Sequence, residues 1–185
     1  MLPMTSKRYI ALLRGINVGR AKRVAMADLR KLVGDLGYRD VRSILNSGNV
    51  VFSADELAPQ QAASSIEEML VLKLGVVARV FVLASDELAE IVADNPLVSV
   101  ATDQSRLLTF ILADPVARTL VAPLCEQDWG PGALALGQRA AYVWCPEGVL
   151  ESAAAAALGR QLGDATTSRN WATLCKLHAL CTAAA

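Results

Sequence analysis

Apolar residues change period several times along the chain, and those changes delimit its elements. Residues 8–13, Arg-Tyr-Ile-Ala-Leu-Leu, form a short, almost continuous apolar run, the pattern of a buried strand. Met26, Leu29, Leu32, Val33 and Leu36 then recur at helical spacing, and Gly37 follows as a stop, which predicts a helix over 26–36. Val41–Leu45 and Val50–Phe52 are β-rich runs separated by Asn46-Ser47-Gly48-Asn49, a cluster that reads as a tight hairpin turn. Ile66, Met69, Leu70 and Leu74 share one face of a helix predicted from Pro59 to Leu74, and Val77–Leu83 reads as the next strand. The resulting order is βαββαβ, the split βαβ unit of ferredoxin-like folds.

The order then begins again. Ser85, with Glu87 and Glu90 behind it, opens a short helix that Asn95-Pro96 ends, and residues 95–105 read as a linker. Leu107–Ala113 is a predicted strand and 115–125 a helix. Gly132–Leu136 and Ala140–Cys145 form a second hairpin, and 151–162 an alanine-rich helix. A last helix is expected over Ser168–Leu180, where a final strand would otherwise stand. The predicted fold class is therefore α+β, with two ferredoxin-like (βαββαβ-type) halves at 1–94 and 106–185, joined by 95–105, the second ending in a C-terminal helix.

Length fits this division: 185 residues and 19.6 kDa make one medium domain or two small ones. The hydrophobic share of 54% is rich in alanine, and the longest bulky apolar run, Leu107–Ala113, is far short of the ~18 residues a membrane helix needs. No membrane partner is expected. Lys7-Arg8 is followed by apolar Ile10–Leu13 only before Arg14 interrupts, which is no secretory signal, so a cytoplasmic location is expected. Cys125, Cys145, Cys175 and Cys181 form no CxxC pair and are expected as reduced, mostly buried thiols. His178 is the single histidine, which excludes an HExxH zinc site; no metal and no cofactor are expected.

Net charge is zero but unevenly spread. Residues 1–53 carry ten Lys and Arg against three Asp, whereas 54–104 carry two against nine Asp and Glu. Lys7, Arg8, Arg14, Arg20, Lys22 and Arg23 all precede the first acid, Asp28. Such a stretch attracts anions, or forms a solvated face balanced by the acidic middle segment.

In a split βαβ unit, strands one and two run parallel with strand three between them. The loop after strand one and the turn between strands two and three therefore leave the sheet at the same end. That brings Arg14, Gly15, Asn17 and Gly19 to Ser47, Gly48 and Asn49. The glycines let backbone approach a ligand, and Asn and Ser donate and accept hydrogen bonds. The glycine spacing lacks the Lys-Ser/Thr of a phosphate loop and the third Gly of a dinucleotide fingerprint. Ser47 is the best-placed hydroxyl but has no identifiable base. Near the C-terminus, Trp171, Leu174, Cys175, His178 and Cys181 share an apolar stripe, and Arg169, Thr173 and Lys176 a polar one. His178 reads as a hydrogen-bonded core histidine and Trp171 as a core anchor. Arg169 and Lys176 suit a carboxylate or phosphate, with Asn170 beside them.

Arg8-Tyr9-Ile10-Ala11-Leu12-Leu13-Arg14-Gly15-Ile16-Asn17-Val18-Gly19, then Met26-Ala27-Asp28-Leu29, Ser47-Gly48-Asn49-Val50-Val51-Phe52, and finally Thr167, Arg169-Asn170-Trp171, Thr173 and Lys176-Leu177 resemble a bacterial family, domain of unknown function 1697. The resemblance implies a small α+β protein with ferredoxin-like halves and no established reaction. It also places family signature positions on the three segments above. Arg20 stands where the family usually has a second Gly, Ala25 where Pro or Lys is usual, and Ala153 where a lysine tends to follow Ser152.

Together these features favour a pocket for an anionic small molecule, nucleotide-like, phosphorylated or carboxylated, built from Arg14, Gly15, Asn17, Gly19, Ser47, Gly48, Asn49, Arg169, Asn170 and Lys176. Two other readings stay open. A nucleic-acid-binding module would use the basic N-terminal region, although the aromatic signature of RNA-reading sheets is absent. A protein-interaction module would use the acidic 54–104 segment or the alanine run at 153–157.

Overall fold

A computed structural model describes residues 5–20 and 22–183. The chain divides into two compact units, residues 1–88 with 177–185, and residues 89–176.

In the first unit β1 (Lys7–Leu13), β2 (Arg39–Ile44), β3 (Asn49–Ala54) and β4 (Val80–Ala84) form an antiparallel sheet of order β2-β3-β1-β4. β1 pairs with β3 on one side and β4 on the other, so its backbone groups are satisfied on both flanks. The two-residue period of the strands sends Tyr9, Ala11, Leu13, Val50, Phe52, Val80 and Val82 into one core. There they meet Leu29, Leu32 and Val33 of α1 (Met26–Asp35) and Ala62 and Ile66 of α2 (Pro59–Met69). Phe52 is stacked between Tyr9 and Tyr38, with ring centroids 5.8 and 4.5 Å away. Ile10 and Leu12, on the opposite face of β1, are also fully buried, as the continuous apolar run predicts.

The helix expected to run from Pro59 to Leu74 changes character at Leu70. Residues Leu70–Leu74 form a π turn that closes on Gly75, whose φ of +64° is the left-handed conformation glycine supplies. Val76 N–H then donates to Leu70 O at 3.1 Å. The reversal consumes the start of the apolar run at 77–83, and β4 begins only at Val80.

In the second unit β5 (Leu107–Leu112), β6 (Ala133–Leu136), β7 (Ala140–Trp144) and β8 (Thr166–Asn170) repeat the pattern in the order β6-β7-β5-β8. Leu108, Phe110, Leu112, Ala141 and Val143 pack on Val121 of α4 (Arg118–Cys125) and on Ala154, Leu158 and Leu162 of α5 (Ala153–Leu162). β8 corrects the expectation of a helix beginning at Ser168. Thr166–Asn170 pairs antiparallel with β5, and the helix begins at Trp171. This segment has no aliphatic residue, yet its β-branched threonines suit a strand, and Thr166 Oγ1 donates to Ile111 O at 2.7 Å. Both units are thus complete βαββαβ arrangements. Each last strand runs directly into a helix, α3 (Ser85–Ala93) after β4 and α6 (Trp171–Thr182) after β8, and the chain ends in α6. Among the described residues, no helix is long and apolar enough to cross a membrane.

Candidate functional site

The first unit brings the loop after β1 against the β2–β3 turn, as its topology requires. Leu13 N–H donates to Gly48 O at 2.9 Å, and Arg14 N–H to Arg79 O at 2.9 Å, so three segments are laced together where β1 ends. Asn17 is the centre of the lacing. Its φ of +55° turns the chain, its Oδ1 accepts from Val24 N–H at 2.7 Å, and its Nδ2 donates to Val24 O at 2.9 Å and Asn46 O at 2.7 Å. The Arg23 guanidinium closes on Asn17 O at 2.8 Å. The side-chain amide is therefore spent on the protein's own backbone, and Asn17 shapes the loop.

Asn49 acts similarly. It is fully buried, and its Nδ2 donates to Ile44 O at 3.1 Å and Ser47 Oγ at 2.8 Å, which holds the turn closed. Gly48 is required twice over: its φ is +82°, and an added Cβ would stand 2.7 Å from Leu13 Cβ. Gly15 and Gly19 also have positive φ but face open space. Arg14 is half-buried, and Arg20, Lys22 and Arg23 are exposed.

Beside this loop lies an open cavity of about 330 Å³ lined by Gly15, Ile16, Lys22, Gly75, Val76 and Val77. Lys22, which by sequence belongs only to a general basic stretch, reaches Gly75 O with its ammonium at 2.5 Å. The residues after the π turn form the other wall. Nothing in their local sequence marks them; only the pairing of β1 with β4 sets them there.

The second unit holds Arg169, Asn170 and Lys176. Arg169 lies on β8 opposite Thr109, and its guanidinium donates to Thr167 Oγ1 at 2.9 Å and Ser168 O at 2.8 Å. Burial pushes its pKa down to about 10, so it stays charged at neutral pH. Asn170 caps α6, its Oδ1 accepting from Thr173 N–H at 2.9 Å. Lys176 is exposed on that helix. Trp171 is buried, as expected of an anchor. His178 is half-buried, and its Nδ1 is buried with no hydrogen-bond partner among the described residues, so the expected hydrogen-bonded role is not met at that nitrogen.

A second cavity, of about 210 Å³, lies within the second unit between the β7 end and the α5 start. Trp129, Trp144, Cys145, Glu147 and Ser152 are among its lining residues. All four cysteines are free thiols. Cys145 is buried and the other three are half-buried, with burial raising each pKa. Among the described residues, no three His, Cys, Asp or Glu side chains group as metal ligands.

Two antiparallel four-stranded sheets of identical strand order, each carrying its helices in the βαββαβ sequence, define a protein of two ferredoxin-like units. The chain belongs to the family described as protein of unknown function DUF1697, whose model matches residues 6–142. Its fold is similar to that of a solved structure, the conserved bacterial protein SP0830 from Streptococcus pneumoniae. The TM-score is 0.78 at 22% identity, over 96% of this chain and 100% of that one. No curated protein matches the chain.

Proposed function

We propose that the first unit binds an anionic small molecule, phosphorylated or carboxylated, in the cavity beside the loop after β1. The observation that carries this reading is the position of Lys22. Its ammonium stands in the cavity wall against a carbonyl, and no carboxylate among the described residues neutralises its charge. A bound phosphate or carboxylate would supply that neutralisation. Arg14 and Arg20 add positive potential from the same loop, and Gly15 and Gly19 keep the backbone bare beside it. Asn17, Ser47, Gly48 and Asn49 hold the loop and turn in register in this assignment. Arg169, on β8 and not on a helical stripe with Thr173 and Lys176, and Lys176, on α6, are the anion contacts proposed within the second unit, with Asn170 capping α6 after the strand.

The test is a thermal-shift series with sugar phosphates, nucleotides and polycarboxylates on the wild type, Lys22→Gln and Arg14→Ala. A ligand at about 100 times its Kd adds about 2.7 kcal/mol of stability, a shift of several degrees. A shift seen in the wild type and lost in Lys22→Gln is expected. No shift from any of these compounds would overturn the reading.

A further inference from the structure

The same end of the first unit carries an unusual share of exposed aliphatic surface. Ten large apolar side chains are exposed among the described residues, and five of them, Val18, Leu45, Val71, Leu72 and Val77, lie on the loop after β1, the β2–β3 turn and the stretch from the π turn to β4. Val18 is 63% exposed, Leu45 53%, Leu72 77% and Val77 89%. Scattered exposed aliphatics need no explanation, but contiguous ones mark a contact surface. Hydrogen bonds already described hold the segments that carry these side chains to one another. Asn17 ties the loop bearing Val18 to Asn46, the neighbour of Leu45, and Lys22 ties it to Gly75, between Leu72 and Val77.

Leu45 adds a further sign. Its φ is +58°, a backbone region that a bulky residue rarely adopts, and it is held there with its side chain exposed. The same stretches of chain carry the exposed cations Arg20, Lys22, Arg23, Lys73 and Arg79.

We propose that this end of the first unit docks on an anionic lipid surface, the aliphatic tips entering the headgroup boundary and the cations meeting lipid phosphates and carboxylates. Cations alone would suit RNA equally well. The apolar members here are all aliphatic, however, and offer no ring on which a base could stack, whereas aliphatic side chains gain directly from an acyl boundary. The proposal departs from the expectation of no membrane partner, which rested on the want of a spanning segment, since peripheral docking needs none. The surface shares Lys22 and Val77 with the small-anion cavity, whereas Leu45 and Leu72 do not line it, so substitution at those two tests docking separately.

The test is co-sedimentation of the full chain with vesicles of phosphatidylcholine alone and with about 30% phosphatidylserine, at about 0.1 M and about 0.5 M salt. Binding to the anionic vesicles, weakened by salt, is expected. Leu45→Asp combined with Leu72→Asp is expected to weaken it by about tenfold or more. Both positions are exposed, and a melting curve checks that the variant remains folded. Its thermal response to the small anions above should be unchanged, which separates a failure of docking from a failure of the cavity reading. Equal sedimentation with both vesicle types, no effect of the paired substitution, or retention of a short single-stranded RNA without vesicle binding would each overturn the proposal.

Discussion

Gly48 and Gly19 have similar backbone freedom but different reasons to be glycine. Both have positive φ, yet only Gly48 has a neighbour where a Cβ would go, the Leu13 Cβ at 2.7 Å, and that atom is fixed to the central strand. Gly48→Ala is therefore expected to cost about 3 kcal/mol, from left-handed strain and overpacking together. Gly19→Ala, with open space around it, is expected to cost about 1 kcal/mol. Urea unfolding of the two variants measures the difference, and equal losses would refute the packing argument. The sequence marks both glycines as places of close backbone approach and Asn17 as a hydrogen-bonding residue. It cannot show that Asn17 uses its whole side-chain amide on Val24 and Asn46, because those partners are chosen by the loop's path.

Helix caps are the element-scale feature closest to the local sequence. Ser152 is the N-cap of α5, its Oγ accepting from Ala155 N–H at 3.1 Å. Ser152→Ala is expected to lower stability by about 1 kcal/mol, seen as a lower urea midpoint with unchanged slope. An unchanged midpoint would mean that the cap contributes nothing. The alanine-rich helix it starts is legible from residues 151–162 alone. β8 is not: Thr-Thr-Ser-Arg-Asn has no apolar alternation, and it becomes a strand because β5 presents an unpaired edge there. The π turn after α2 is hidden for a similar reason. Leu70–Leu74 has good helical pattern, and the widening appears only where the chain must turn through Gly75 to reach β4.

At the scale of the molecule, one buried and three half-buried thiols, with Tyr142, make alkaline stability a property of the whole fold. Burial pushes Cys181 up to about 11, with Arg8 opposing the shift, and also raises Cys145, Cys175, Cys125 and Tyr142. A raised folded pKa means the native state keeps a proton that the unfolded chain releases. That stability is complete below about 8.5, where unfolded thiols begin to ionise, and it is lost as pH rises toward the folded values. The urea midpoint is expected to fall from about pH 8.5 to about pH 11, less steeply in Cys181→Ser than in the wild type. Parallel curves would show that Cys181 does not contribute.

The order of residues alone dictates the identity and order of nearly all elements, the two ferredoxin-like halves and the loop and turn that meet where β1 ends. Each of these follows from local periodicity or from the handed rules of a split βαβ unit. Strand pairing and loop packing add which of those loop residues serve the fold, that Lys22 and the Gly75–Val77 segment line one cavity, and that Val18, Leu45, Val71, Leu72 and Val77 are exposed. The reason is physical. Periodicity reports which face of an element is buried, whereas a site is set by which distant segments share hydrogen bonds, and those partners exist only after strand pairing has chosen them.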